Sequence, residues 1–357
     1  MKTYTKFLCF IFFKSFFYVT IIMLSLVFIL NVLSELDFFK EIEIGIDFIL
    51  LLSLLNSPSM IFEIFPFIFL ITTQLFFIKL FDNNEIEIFK YSGLKNSNIL
   101  STILSITLLM GILTVLIFYN FSANLKNFYL EKKSQYANDG KYLAVITKNG
   151  LWIKDEINEK IYIINSSKIE NNFLINNFIT EFNKKFEVLR NIQSKKIDVK
   201  ENKWKIYDAK IYDKNNYIIK KILEIETNFN YKKIQTLYSD LSALDIIQLF
   251  ELRNNYKKLN YSLTEIDLQL LKLLAYPLYL VLIAIFSSLI MFRIKRLNTT
   301  TIQISFGLFF SVIIYYINNF FLVMGTTERI SLILSIIMPL IILILINTFM
   351  IYRINEK

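Results

Sequence analysis

The sequence contains no histidine and one cysteine, Cys9. Without imidazole the chain lacks the usual proton shuttle at neutral pH and the commonest metal ligand, and a single thiol cannot form an internal disulfide. Glycine and proline are sparse, at seven and four residues. The chain has no phosphate-cradling glycine loop, zinc-ligand spacing or nucleophile–base pair. These absences exclude an enzyme with its own nucleotide site, so no cofactor is expected on this chain. Any energy from ATP has to come from a second polypeptide.

What is present is apolar. Of 357 residues, 55% are hydrophobic and 16% aromatic, with a mean hydropathy of +0.48. That content marks a polytopic membrane protein. The net charge of +9 comes with the Ile, Phe, Lys, Asn and Tyr richness of an AT-rich coding sequence. It is poor evidence for a nucleic-acid partner, and where the charges sit is the better guide.

About 20 apolar residues cross a bilayer core, and charge-free windows place six spans. They run over 15–34, 48–78, 96–125, 273–292, 297–327 and 330–352, the second interrupted only by Glu63. The last two windows meet at Glu328-Arg329, a tight re-entry. The first run is too long for a signal peptide and has no small-x-small cleavage site, so it is expected to be retained. One side of the membrane has Lys2, Lys6, Lys14, Lys79, Lys90, Lys95, Arg293, Lys295, Arg296, Arg353 and Lys357 in its short loops. The other has only Lys40 and Arg329. By the positive-inside rule both termini are cytoplasmic.

The polar insert between the third and fourth spans then lies outside the cytoplasmic membrane. In "LEIETNF", Leu223, Ile225, Thr227 and Phe229 alternate with Glu224, Glu226 and Asn228, the period of a half-buried strand. "KYLAVIT", "KIYII", "FLINNFI", "KFEVL" and "KWKIYDAKIYD" are further strand candidates, which suggests a sandwich or jellyroll. A helix from Ala243 to about Lys258, capped by Ser242, is expected to return the chain to the membrane. The fourth span opens on "SLTE", a capping-box pattern of Ser262 and Glu265. The fold class is thus an α+β membrane protein: six transmembrane helices with a periplasmic jellyroll-like β domain inserted between the third and fourth. The divisions are 1–125, 126–266 and 267–357.

Residues 81–94, "FDNNEIEIFKYSGL", lie between two spans. Asn84 is a candidate N-cap, with Glu85 and Glu87 in the first turn, where carboxylates suit the helix dipole. Ile86 and Phe89 share a face, and Gly93 sits where a left-handed residue would end the helix. So short a helix is marginal alone and has to be held by its own spans, the membrane surface or a partner. One reading is an interfacial loop helix. The other is a coupling helix docking on a cytoplasmic ATPase, favoured by the large outer domain and the missing nucleotide site.

In the second span, "NSPSMIFEIFPF" sets Glu63 between Pro58 and Pro66. Proline kinks a helix, and an intramembrane charge is costly and usually functional. Glu63 is either a gate or cavity residue, or it lies near the outer interface.

Five segments in order, "SPSMIFEIFPFIFL", "NNEIEIFKYSGL", "NGLWIKD", "LLAYPLYLVLIAIFSSLIMF" and "ISFGLFFSVIIYYINNF", resemble the lipopolysaccharide-export permeases LptF and LptG. "NGLWIKD" is more similar to LptG, and the likeness is weakest over 165–260. The resemblance implies a heterodimer of two paralogous permeases over two LptB ATPases, which use ATP and Mg. It also implies lipopolysaccharide entering a membrane cavity sideways and passing to the β domains, LptC and a periplasmic LptA-like bridge. The family's coupling-helix acid falls on Glu85 and its glycine on Gly93. The family's basic residues near the outer end of the first span are replaced here by "NVLSELDFFKEIEIG", where Lys40 is the one cation.

Beyond the coupling residues, gate or cavity candidates are Pro58, Glu63, Pro66 and Lys40. Lipid-contact candidates in the β domain are Trp152, Leu223, Ile225 and Phe229, although core packing is the commoner role for Trp152 and Trp204. A mechanotransmission or scaffold subunit that conducts no lipid is the main alternative. A lipid-modifying enzyme lacks an acid–base constellation, and a secondary transporter would have only Glu63 for ion coupling.

Overall fold

The computed structural model describes residues 3–40, 44–134, 136, 151–157, 160–170, 172–213, 216–231, 234, 240–258, 262–294 and 300–355. The strand expected over 141–147, and the basic residues Lys295 and Arg296, lie outside them. By contacts the chain divides into two compact units, Met1–Lys126 with Thr264–Lys357, and Asn127–Leu263.

Six helices in the described residues are long and apolar enough to cross a membrane. In chain order, α1 is Thr3–Phe38, α2 Ile46–Asp82 and the short α3 Glu85–Tyr91. The third span begins as α4, Asn96–Leu113, passes through a π-helical segment, Thr114–Tyr119, and continues as α5, Asn120–Ser134. The helices run past the apolar windows because a helix does not stop where hydrophobicity does. The 37 residues of α2 make about 55 Å of helix at 1.5 Å per residue, well beyond a hydrocarbon core of about 30 Å.

The insert ends with α6, Ile246–Lys258, and after it come α7, Thr264–Ile294, α8, Thr300–Thr326, and α9, Leu332–Asn355. Leu70, Leu282, Ile283, Phe286, Ile290, Ile314, Leu340 and Leu343 form a core joining α2, α7, α8 and α9. Small residues let these helices approach closely, the usual device where lipid gives no hydrophobic drive for helix association. A Cβ added at Gly111 on α4 would lie 3.0 Å from Pro277 Cα on α7, and one at Gly307 on α8 would collide with the Gln74 side chain of α2. The tight re-entry is present: the α8–α9 turn is held by Arg329 N–H donating to Met324 O, with Glu328 at a φ of 57°.

The insert is an antiparallel meander of six strands in chain order. They are β1 Leu151–Ile157, β2 Lys160–Glu170, β3 Phe173–Asn183, β4 Val188–Asp198, β5 Lys203–Asp213 and β6 Asn216–Glu226. The described strands have no Greek-key crossover of the kind that defines a jellyroll. Two sequence expectations shift. "KFEVL" is split, since Phe186 takes a φ of 58° in the β3–β4 turn and only Val188 and Leu189 enter β4. The return helix starts at Ile246 rather than Ala243. Asp240, not Ser242, caps a preceding 3-10 turn, and the helix itself opens on a reciprocal capping box. There Gln248 N–H donates to Asp245 Oδ1 at 2.8 Å and Asp245 N–H to Gln248 Oε1 at 3.0 Å.

One register line crosses the whole sheet as isoleucine: Ile153, Ile164, Ile179, Ile192, Ile211 and Ile218. The first five are buried. Flanking it on the same face, Ser166 donates to Asn177 Oδ1 at 2.6 Å. On the other flank Glu181, 1% exposed, accepts from Lys160 and Arg190. The alternation expected in "LEIETNF" holds: Ile225, Thr227 and Phe229 are buried and the acids between them exposed. Asn228, just past β6, donates its backbone N–H (3.0 Å) and side-chain amide (2.8 Å) to the carboxylate of Asp155 on β1. The stagger accumulated over six strands therefore brings β1 against the segment after β6, not against the start of β6.

Candidate functional site

Within the membrane unit, α1, α2, α7, α8 and α9 enclose a partly open cavity of about 990 Å³. Its walls are mainly aliphatic and aromatic, among them Met23, Leu26, Leu30, Phe67, Ile71 and Tyr316. Among the described residues lining it, Glu63 of α2 and Lys272 of α7 are the charged ones. Two of the sequence candidates, Glu63 and Pro66, thus meet here. Pro58 and Lys40 do not line it: Pro58 lies on α2 outside the lining set, and Lys40 is exposed in the turn after α1.

Pro66 shapes the wall. Its missing N–H leaves the carbonyl of Phe62, four residues earlier, without its helical donor. The hydroxyl of Tyr276 on α7 supplies one, donating to Phe62 O at 2.6 Å. The Phe62 and Tyr276 rings stack with centroids 4.7 Å apart, and Phe62 also packs on Tyr119 at 5.0 Å. Tyr119 closes the π-helical segment, so the proline site of α2, the π-helical turn of the third span and the wall of the cavity share one aromatic cluster.

Lys272 and Tyr276 were not legible as site residues. The fourth charge-free window begins at Leu273, one residue after Lys272, whereas α7 begins at Thr264. The run Thr264–Leu271, with Glu265 and Asp267 in its first turn, was a helical signal extending the span.

The second feature is α3. Ile86 is 2% exposed, and Phe89 packs edge-on against Phe7 of α1 at 6.1 Å, so this face holds the helix to its own unit. The helix ends as the sequence implies, with Gly93 at φ 79°. Gly93 N–H donates to Lys90 O at 3.0 Å and Leu94 N–H to Phe89 O at 2.9 Å, a Schellman pair. The N-terminus differs from expectation. Asn84 takes a left-handed φ of 55° and makes no side-chain cap. Its N–H also donates to Phe81 O, so it ends α2 while starting α3, and a left-handed residue cannot hold the extended backbone an N-cap needs.

Glu85 Oε1 instead accepts weakly from Asn83 at 3.5 Å, while Oε2 is buried without a partner. Burial pushes the Glu85 carboxyl above its ordinary value, opposed by the Asn83 contact. The outward face carries Glu87, Ile88 and Tyr91, the last two 58% and 90% exposed. Ile88 and Tyr91 carry no signal in the Ile86–Phe89 spacing, which marks the face holding the helix and not the one it leaves open.

The β-domain candidates separate. Ile225 and Phe229 are buried and Leu223 half-buried, and Trp204, fully buried, donates its indole N–H to Phe229 O at 2.8 Å. Trp152, expected to pack in the core, is 52% exposed. It alternates with the buried Leu151 and Ile153 and so faces the opposite side of β1.

A family model described as the lipopolysaccharide export system permease LptF/LptG matches residues 6–353. No curated protein matches the sequence. With six apolar helices, an inserted antiparallel β domain and a match over nearly its whole length, the chain belongs to the LptF/LptG family of lipopolysaccharide export permeases.

Proposed function

We propose that this chain is one permease subunit of an ATP-binding-cassette exporter, the more LptG-like member of a heterodimer. The ATP and Mg chemistry belongs to a separate cytosolic ATPase of the LptB kind. In this reading both termini and α3 are cytosolic and the β domain is periplasmic. Lipopolysaccharide enters the cavity from the outer leaflet of the inner membrane. It is then driven toward the β domain and on to LptC and an LptA-like bridge.

The observation that carries the reading is how α3 is built. One face is pinned by Ile86 and Phe89 to its own unit, while Ile88 and Tyr91 are presented outward beside a half-buried carboxylate with an unpaired oxygen. An exposed apolar–aromatic pair next to an unmet charge suits a protein groove that supplies a cation.

The same helix would serve a mechanotransmission subunit, but such a subunit has no use for a large apolar cavity, which weighs toward conduction. The test is purification from native membranes. Wild type is expected to bring down an ATPase and a second six-span chain. Glu85→Arg is expected to lose the ATPase and keep the second permease. Retention of the ATPase with normal transport in that variant would overturn the proposal.

A further inference from the structure

Glu63 of α2 and Lys272 of α7 line one cavity from different helices. Among the described residues neither makes a hydrogen bond or a salt bridge. Two opposite charges on the walls of one partly open apolar cavity, Glu63 exposed and Lys272 partly buried, are each available to a ligand there. Unpaired intramembrane charge is expensive, and where it persists facing a cavity it usually marks a ligand path. Around the pair, the opposing wall of α8 offers Ser311, Asn318 and Asn319, neutral groups suited to sugar or ester oxygens.

We infer that Glu63 and Lys272 form a headgroup-selecting pair for an amphiphile carrying both a phosphate ester and a primary ammonium. Lys272 takes a phosphate oxygen and Glu63 the ammonium. The lining contributes no net charge, so a singly phosphorylated, amine-bearing headgroup is fully compensated. A headgroup with two phosphates brings charge that this wall does not neutralise, and burying unpaired charge in low dielectric is penalised steeply. The inference rests on the cavity being the place where lipid enters. An amine-bearing glycolipid and an ethanolamine phospholipid share the required chemistry.

The experiment uses the full chain with its co-purifying partners in nanodiscs. Binding is measured for four probes: diphosphoryl lipid A, monophosphoryl lipid A, monophosphoryl lipid A bearing an ethanolamine phosphodiester, and phosphatidylethanolamine. The expected result is a preference of about tenfold or more for amine-bearing probes over diphosphoryl lipid A, the scale of one charge-assisted hydrogen bond. Lys272→Gln should weaken every phosphorylated probe. Glu63→Gln should erase the preference for the amine while sparing monophosphoryl lipid A. The exchanged pair Glu63→Lys with Lys272→Glu should recover more of the preference than either Glu63→Lys or Lys272→Glu alone.

A glycolipid bound more tightly than phosphatidylethanolamine identifies the source as glycolipid. Equal binding identifies headgroup chemistry alone, and both outcomes support the pair. Equal affinity for all probes in wild type, or indifference to both single substitutions, overturns the pair. Val312→Trp, which fills the cavity without touching either charge, separates the two levels. If it abolishes binding while the charge variants do nothing, lipid enters the cavity but the pair does not select. If it too has no effect, lipid does not enter there.

Discussion

Pro66 removes one backbone donor from α2, and a side chain on another helix replaces it. The Tyr276 hydroxyl on the Phe62 carbonyl therefore satisfies the acceptor that Pro66 leaves open, and Tyr276 and Pro66 should be coupled. Tyr276→Phe is expected to lower stability by about 1 kcal/mol, more if the carbonyl is left unsatisfied. In a Pro66→Ala background, where residue 66 can donate to Phe62 itself, the same change should cost less. A double-mutant cycle read by thermal unfolding in detergent measures the difference.

Glu85 makes a second prediction at this scale. Its folded pKa is raised, chiefly by burial, so the folded helix binds more protons than the open one in the window above the ordinary value of 4.5. Local stability of α3 is then greatest below that value and falls as pH rises through the shifted one. The protection factors of α3 in the isolated chain, exchange rates corrected for the intrinsic base catalysis, should fall over that window. In Glu85→Gln they should be flat and higher throughout.

Among the elements, α3 is short enough for its ends to decide its stability. Gly93 has φ 79° and open space around its missing Cβ, so Gly93→Ala meets backbone strain without a clash. About 1 kcal/mol is expected, seen as faster exchange over Glu85–Tyr91 and weaker ATPase retention, with α2 and α4 unchanged.

The end of this helix was readable because glycine is the one residue that adopts that conformation freely. Its start was not, because Asn84 serves two helices and a sequence cannot show which of two roles a residue's backbone takes. The spans were legible from charge alone and the start of the fourth from "SLTE", but Lys272 falls between that cap and the charge-free window and carries no signal of facing a cavity. In the β domain the alternation in 223–229 was readable from period two. Features it does not display were the register shift of β3 against β4 between Glu181 and Phe182 and the Asp155–Asn228 contact across 73 residues.

At the scale of the whole molecule, the membrane unit and the inserted sheet answer to different solvents. The first buries polar groups such as Gln74 and Ser287 inside an apolar bundle; Ser287 donates to Leu70 O at 2.9 Å. The second buries an isoleucine line beneath charged neighbours such as Glu181. Removing Asp155, 1% exposed, takes away the carboxylate that accepts from the backbone N–H and the side-chain amide of Asn228. Asp155→Ala is expected to cost about 2–3 kcal/mol, as for loss of a charged hydrogen-bond acceptor. It should appear as early loss of β structure on heating while the helical signal persists.

Most of the isoleucine line is already covered in this structure, so it offers no ready surface to an alkyl tail. What helps keep it covered is a sheet rolled like a cuff, whose first strand is buttoned to the segment after the last where Asn228 donates to Asp155 and to Glu156 O. A tail could reach that greasy lining only while the seam is parted. The pace of delivery would then be set by how often that button lets go, and not by how strongly the lining grips its cargo.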